Sequence, residues 1–264
     1  MSDIEIVRLT YRDNPWCPQV MKDEAARDFE RNPEAAASIW DGLLSLDLDE
    51  IVFSGVWMVE DFKIEKVIEE LKAQIKISYS GLMQERRAKH QRQAEKINNA
   101  FLIGYDHGFV DPSAGLEIFL DAKNKKIYCL REMYERRQSL TEIPSRLKAA
   151  IPRAGEKWPV QCDSARPDVI ALLKDAGIKA TSCTKLKIAD RIDALKTYLI
   201  IVHPRCENLI RELSSYRYQT DRNGNVLPDV VDADNHLLDS LAYALGNELQ
   251  VKKGGYRELK NPYI

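Results

Sequence analysis

Residues 100–135 read AFLIGYDHGFVDPSAGLEIFLDAKNKKIYCLREMYE, and three strand-like runs stand out in them. Ala100 to Tyr105, Ala114 to Leu120 and Lys126 to Tyr134 are rich in aromatic and branched apolar residues and are separated by chain breakers. Asp121-Ala-Lys-Asn124 reads as a turn between the second and third runs, because Asp and Asn side chains bond back to nearby backbone. The spacing predicts an antiparallel meander with Asp106 at the end of its first strand. Gly104 and Gly108 flank that acid, and lacking Cβ atoms they would let backbone and a phosphate or metal come close.

Downstream, helix and strand signals alternate. Thr141 to Ile151 has a helical rhythm, Trp158 to Cys162 reads as a buried strand, and Pro167 to Ala176 as a helix stopped by Gly177, a residue suited to helix ends. Ile178 to Thr181 is a further strand, Lys187 to Leu199 a helix, Ile200 to His203 a short strand and Pro204 to Leu213 a helix. Tyr216 to Thr220 and Val226 to Val230 form a hairpin around Asp221-Arg-Asn-Gly-Asn225. Asn235 to Leu249 is a last helix with an apolar stripe of Leu238, Leu241, Ala242 and Leu245. Meander, helix, strand, helix, strand and late helix is the element order of the α/β RNase H-like fold: a central mixed β-sheet flanked by helices, here with a small N-terminal linker region.

Three acids occupy telling places in that order. Asp106 and Asp163 end strands, and Asp239 lies three residues after His236 on the last helix. Carboxylates so far apart in sequence meet only if a sheet gathers them, and gathered hard oxygen ligands repel unless Mg²⁺ or Mn²⁺ neutralises them. A metal-dependent phosphodiester-cleaving site is the expectation. Each acid has a plainer reading: Asp106 as a turn former, Asp163 as a cap on the helix that follows, and Asp239 as the surface partner of His236. Asp232 or Asp234 is expected to cap the last helix, with Asp234 also a candidate extra ligand. Asp111 is read as structural, His203 as packing at a strand end, and Tyr216, Tyr218 and Tyr243 as core or hairpin packing.

Upstream, Asn14-Pro15 breaks the chain, Ala25 to Arg31 is helical in rhythm, and Ile51, Phe53, Val56 and Trp57 suggest a strand or two broken at Ser54-Gly55. Arg86, Arg87, Lys89, Arg92 and Lys96 fall among acids in a charged stretch, read as a solvated helix in preference to a DNA-tracking arm. The expected division is a linker region over 1–98, a nuclease domain over 99–254 and a tail over 255–264.

Bulk properties permit this reading without requiring it. The 264 residues are 44% hydrophobic and carry a net charge of −2, so one substantial core plus an appendage is affordable and a nucleic-acid partner is neither indicated nor excluded. Cys17, Cys129, Cys162, Cys183 and Cys206 show no Cys-x-x-Cys spacing, which argues for a reducing compartment and against a zinc ribbon. With no membrane-length apolar run and no basic, apolar leader, a soluble cytoplasmic chain is expected.

Five motifs in order carry a resemblance. Tyr11-Arg-Asp-Asn-Pro15, Gly104-Tyr-Asp-His-Gly-Phe-Val-Asp-Pro112, Cys162-Asp-Ser164, Lys185-Leu-Lys-Ile-Ala-Asp190 and Asp232-Ala-Asp-Asn-His-Leu-Leu-Asp-Ser-Leu-Ala-Tyr-Ala-Leu245 together resemble the nuclease domain of the large terminase subunit of tailed bacteriophages and PBSX-type prophages. The resemblance implies an endonuclease that cuts concatemeric double-stranded DNA during genome packaging. It implies two divalent metals, Mg²⁺ or Mn²⁺, held by Asp106, Asp163 and Asp239 with His236 in support, and a portal protein and small terminase subunit as partners. No Gly-x-x-x-x-Gly-Lys-Ser/Thr loop is present, so no nucleotide site is expected and residues before 99 resemble only the tail of an ATPase half. Lys185, Lys187, Arg217 and Arg222 are candidate DNA contacts. Two rival readings are a docking module for portal and DNA with an idle nuclease, and another RNase H-like nuclease such as a junction resolvase.

Overall fold

The computed structural model describes residues 10–31, 40–41, 50–78, 96–183, 186–222, 225–246, 251–252 and 255–256. The chain forms two compact units, Met1–Glu50 and Ile51–Ile264. In the first, a single 3₁₀ turn over Tyr11–Asp13 is closed by a reciprocal cap between Thr10 and Asp13, and helix α1 spans Gln19–Arg31. Trp40 stacks edge-on against Tyr11 at 5.4 Å and donates its indole N–H to Asp28 at 2.9 Å.

The second unit is built on a seven-stranded sheet. Its strands are β1 (Trp57–Val59), β2 (Phe101–Asp106), β3 (Ser113–Asp121), β4 (Lys126–Glu135), β5 (Val160–Cys162), β6 (Ala180–Ser182) and β7 (Leu199–Val202), in spatial order β1-β7-β4-β3-β2-β5-β6. Only β3 runs antiparallel to its neighbours; every other pairing is parallel. The meander therefore forms as its turn chemistry predicts, with Asn124 donating to Asp121 through both backbone and side chain at 3.1 and 2.7 Å.

Alternation along the strands feeds two cores. Phe101, Ile103, Tyr105 and Phe119 point to one face, where they meet Ile64 and Leu71 of α2 (Ile64–Ser78), Ile143 and Leu147 of α3 (Ile143–Ala150), and Leu173 of α4 (Pro167–Asp175). Leu116, Ile118, Ile127 and Ile200 point to the other. There they meet Leu195 of α5 (Ile188–Lys196), Leu209 of α6 (Glu207–Ser215) and Leu241 of α7 (His236–Leu245). Each such side chain contributes about 1.5–3 kcal/mol on burial. The outer hairpin pairs β8 (Tyr218–Thr220) with β9 (Val226–Val230).

Two expectations change, and a third falls outside the described residues. The compact unit begins at Ile51, not at 99: Trp57–Val59 pairs in parallel with β7, and α2 covers the first core, so much of the supposed linker is part of the sheet domain. Helix α7 is not striped but buried almost all round, with Leu237, Leu238 and Ser240 through Leu245 all enclosed, as befits a helix with sheet on one side and α6 on another. The basic cluster at Arg86, Arg87, Lys89 and Arg92 lies outside the described residues.

Candidate active site

Asp106 is the last residue of β2, and by alternation it shares the α7 face with Gly104, while Tyr105 enters the opposite core. Strand β5 runs parallel beside it with Tyr105 paired to Cys162. The next residues, Asp106 and Asp163, therefore leave adjoining strand ends, whose backbones lie about 4.8 Å apart in a sheet. Cys162 faces the first core, so Asp163 turns to the face of α7. It does not cap the following helix: its Oδ1 accepts from Ala165 N at 2.8 Å in the intervening turn, and the cap position belongs to Arg166.

Helix α7 brings the third acid. Ser240 donates its hydroxyl to Ala114 O on β3 at 2.8 Å and pins the helix to the sheet. Gly104 permits the approach, for a Cβ there would lie 1.8 Å from Ser240 O. Its freedom serves helix packing, not the approach of a phosphate. Gly108 likewise closes a turn, since a Cβ would fall 2.4 Å from Asp111 O.

The start of α7 is held from outside itself. Neither Asp232 nor Asp234 caps it: the N-cap Asn235 makes no side-chain cap bond, and the N–H groups of Leu237 and Leu238 donate to Glu212 Oε2 of α6 at 2.8 and 3.0 Å. Glu212 is fully buried, and burial pushes its carboxyl up to about 8 although those two donors oppose the shift.

Electrostatics tie the group together. His236 Nδ1 stands 3.5 Å from Asp106 Oδ2, and that contact raises the imidazole above its ordinary range against the opposing effect of burial. Asp239 is pushed up to about 6, first by burial; Arg191 on α5 opposes the shift and the charge of Asp106 adds to it. Arg191 Nη2 lies 2.6 Å from Asp239 Oδ1, with the two side chains only 13% and 20% exposed. The Tyr243 hydroxyl is held far above its usual range by burial and then by three carboxylates, Asp106, Asp239 and Asp163. Asp106 and Asp163 leave adjoining strand ends, and Asp239 lies on the helix packed against β2 at Gly104. Beside Asp239 a cleft of about 260 Å³ is lined by Leu186, Ile188, Arg191, Asp232 and Tyr243, with Asp106 and Asp163 outside its lining.

The remaining candidates scatter. Asp234 is exposed at a left-handed φ of 48°, and Asp232, not Asp234, lines the cleft. Lys187, Arg217 and Arg222 are exposed, while Lys185 lies outside the described residues. Arg191, Glu212 and Tyr243 had no place in the expected site. Arg191 and Glu212 reach it from other helices, and Tyr243 carried only the weak signal of standing one turn after Asp239. His203, Tyr216 and Tyr218 do pack as expected, Tyr216 stacking on Phe53 at 6.2 Å.

The donor set suits a hard divalent cation: carboxylates at two adjoining strand ends and a third, mostly buried, on α7, where the charge of Asp106 adds to the upward shift that burial gives Asp239. Among the described residues no group of three or more His, Cys, Asp or Glu is placed to hold a metal ion; Asp106 is turned to His236 and Asp239 to Arg191.

Comparison with known proteins adds independent findings. The terminase RNase H-like domain matches residues 106–247, slightly more than half of the chain. The large terminase subunit of Bacillus phage SPP1 is 31% identical over 160 residues, 58% of this chain and 36% of that protein. The PBSX phage terminase large subunit of Bacillus subtilis strain 168 is 27% identical over 151 residues, 55% of this chain and 34% of that protein. The chain thus spans about a third of the length of these curated relatives. Its fold is similar to that of the SPP1 large-terminase nuclease domain, solved with bound Mn, with a TM-score of 0.54, 22% identity and coverage of 74% of this chain and 98% of that one. Among the described residues no helix is long and apolar enough to cross a membrane.

Proposed function

This chain belongs to the family of terminase RNase H-like domains, and on that premise we propose that it is a metal-dependent endonuclease that cleaves concatemeric double-stranded DNA during phage genome packaging. What supports the reading is geometric: Asp106 and Asp163 leave adjoining strand ends, and α7, packed on Gly104, carries His236 to 3.5 Å from Asp106 with Asp239 about one turn further on. Asp106, Asp163 and Asp239 would hold the divalent ions. Bound there, Mg²⁺ or Mn²⁺ would activate an attacking water and stabilise the leaving oxygen of an in-line displacement.

The protein's own groups prepare that chemistry. His236 keeps Nδ1 toward Asp106, fixing the carboxylate's orientation and leaving Nε2 to position water. Arg191 compensates the buried charge of Asp239. Tyr243 stays protonated and able to donate a hydrogen bond. The exposed Lys187, Arg217 and Arg222, with Lys185, would contact the duplex backbone. Portal protein and small terminase subunit would be its partners in the cytoplasm of the host bacterium.

The test is supercoiled plasmid incubated with the purified chain and Mn²⁺. Nicking and linearisation that disappear with EDTA and in Asp106→Ala support the nuclease. Intact plasmid alongside retained portal binding would instead favour the docking role.

A further inference from the structure

A second cluster of charge lies on the opposite face of the sheet from α7. Where β1 and β7 end, the longer β4 is left uncovered, and a crevice of about 140 Å³ forms over Phe62 and Leu130, lined by Lys63, Arg131, Arg153, His203 and Arg205. We propose that this crevice is a binding site for a phosphate oxyanion, distinct from the acidic centre.

The cations are held in place. Glu117, fully buried on β3, pairs with Nη1 of Arg131 at 3.2 Å and with Nη1 of Arg153. The Arg153 guanidinium is stacked 3.9 Å over the Phe101 ring. Arg205 lies against His203, its Nε 3.0 Å from Nδ1 and its Nη2 2.9 Å from Nε2. His203 is itself fixed by Asp61 at 3.3 Å and by the Phe62 ring at 5.5 Å.

What these contacts leave over is donors. An arginine carries five N–H groups, yet among the described residues Arg131 and Arg153 each reach a carboxylate through Nη1 alone, and Lys63 pairs with none. Two guanidinium groups converge on Glu117, and Arg205 and Lys63 stand across the same small space, where Glu65 is on the lining and Asp61 is engaged by His203. Four cations, Lys63, Arg131, Arg153 and Arg205, thus face three carboxylates, Glu117, Glu65 and Asp61, and a further anion would lower the repulsion among the cations. Forked arginine donors suit a tetrahedral oxyanion, whether free phosphate or a diester of a polynucleotide. Residues 62–65 precede the stretch matched by the family, so part of this crevice comes from outside it.

The experiment uses the full chain in chloride buffer with EDTA, so its outcome does not depend on divalent metal or on the nuclease reading. Inorganic phosphate is titrated calorimetrically into the wild type, Asp106→Ala and the double variant Lys63→Gln/Arg205→Gln. Neither Lys63 nor Arg205 touches Glu117, which keeps the buried pairs intact. Saturable binding is expected in the wild type and Asp106→Ala, weakened about tenfold or more in the double variant, the scale of lost charge-assisted bonds. A 12-base-pair duplex titrated across salt concentrations identifies the source. If the double variant loses duplex affinity and its salt slope falls by about two, the site takes a polynucleotide phosphate; if only phosphate binding falls, it takes a free one. Absence of saturable phosphate binding in the wild type, or equal binding in the double variant, overturns the proposal.

Discussion

Gly104 and Ser240 meet backbone to backbone: a Cβ at 104 would lie 1.8 Å from Ser240 O and 2.8 Å from Ala244 N. No flexible side chain can yield there, so Gly104→Ala must lift α7 from β2 and loosen Asp106 from His236. The expected loss is about 3 kcal/mol or more, the range of overpacked cores. Urea denaturation measures it, and an unchanged midpoint would show that the helix sits less tightly than this contact implies.

Glu212 makes stability depend on pH. Burial pushes its carboxyl up to about 8 from an ordinary 4.5, so the folded state binds the proton more tightly. The stability it contributes is complete below about 4.5 and is lost as pH rises through about 8. Glu212→Gln keeps an acceptor for Leu237 and Leu238 without the charge. Urea midpoints in EDTA between pH 5 and 9 should fall more steeply in the wild type than in the variant. Parallel curves would sink this account.

Much of the architecture is legible in sequence where the signal is local. Period-two runs broken by Asp121 to Asn124 mark β3 and β4, and Gly177 at a φ of 78° ends the region of α4 as a glycine should. A strand near Val56 and Trp57 is legible, but the parallel pairing of β1 with Ile200 to Val202, far along the chain, is not, since no local pattern encodes that register. The acids at strand ends could be singled out because position after an apolar run is itself a signal. Arg191 and Glu212 could not: the first reaches Asp239 from another helix and the second caps a helix 25 residues away. Asp234 drew attention only by lying in an acidic run, and its left-handed backbone leaves it exposed.

Arg191 is expected to matter for stability as well as for the site. Arg191→Met leaves Asp239 buried without its cation, a loss of about 2 kcal/mol on the scale of uncompensated buried charge. The deficit has a pH signature. Asp239 titrates near 6 in the folded chain against 3.8 ordinarily, so its contribution is full below about 3.8 and is lost as pH rises through about 6. Removing the arginine pushes that upper limit higher. The variant should therefore lie close to the wild type at pH 4.5 and fall well below it at pH 8, as read by thermal melts in EDTA. A deficit equal at both pH values would mean that packing, not charge, carries the effect.

Metal binding can be read without cleavage. If Asp106 and Asp239 hold a divalent ion in the folded chain only, Mn²⁺ at a hundred times its dissociation constant should stabilise by about 2.7 kcal/mol, enough to raise the melting temperature by several degrees. Asp106→Ala and Asp239→Asn should lose the shift. Asp234→Asn should keep it, since that side chain is exposed and Asp232, not Asp234, lines the cleft. The comparison of Asp234→Asn with Asp239→Asn is the sharper arm, because both remove one acid near the start of α7 and so alter the long-range field alike. If the two variants respond equally, Mn²⁺ is sensing general negative charge on that surface; if only Asp239→Asn fails, the ion is meeting a specific oxygen in the cleft.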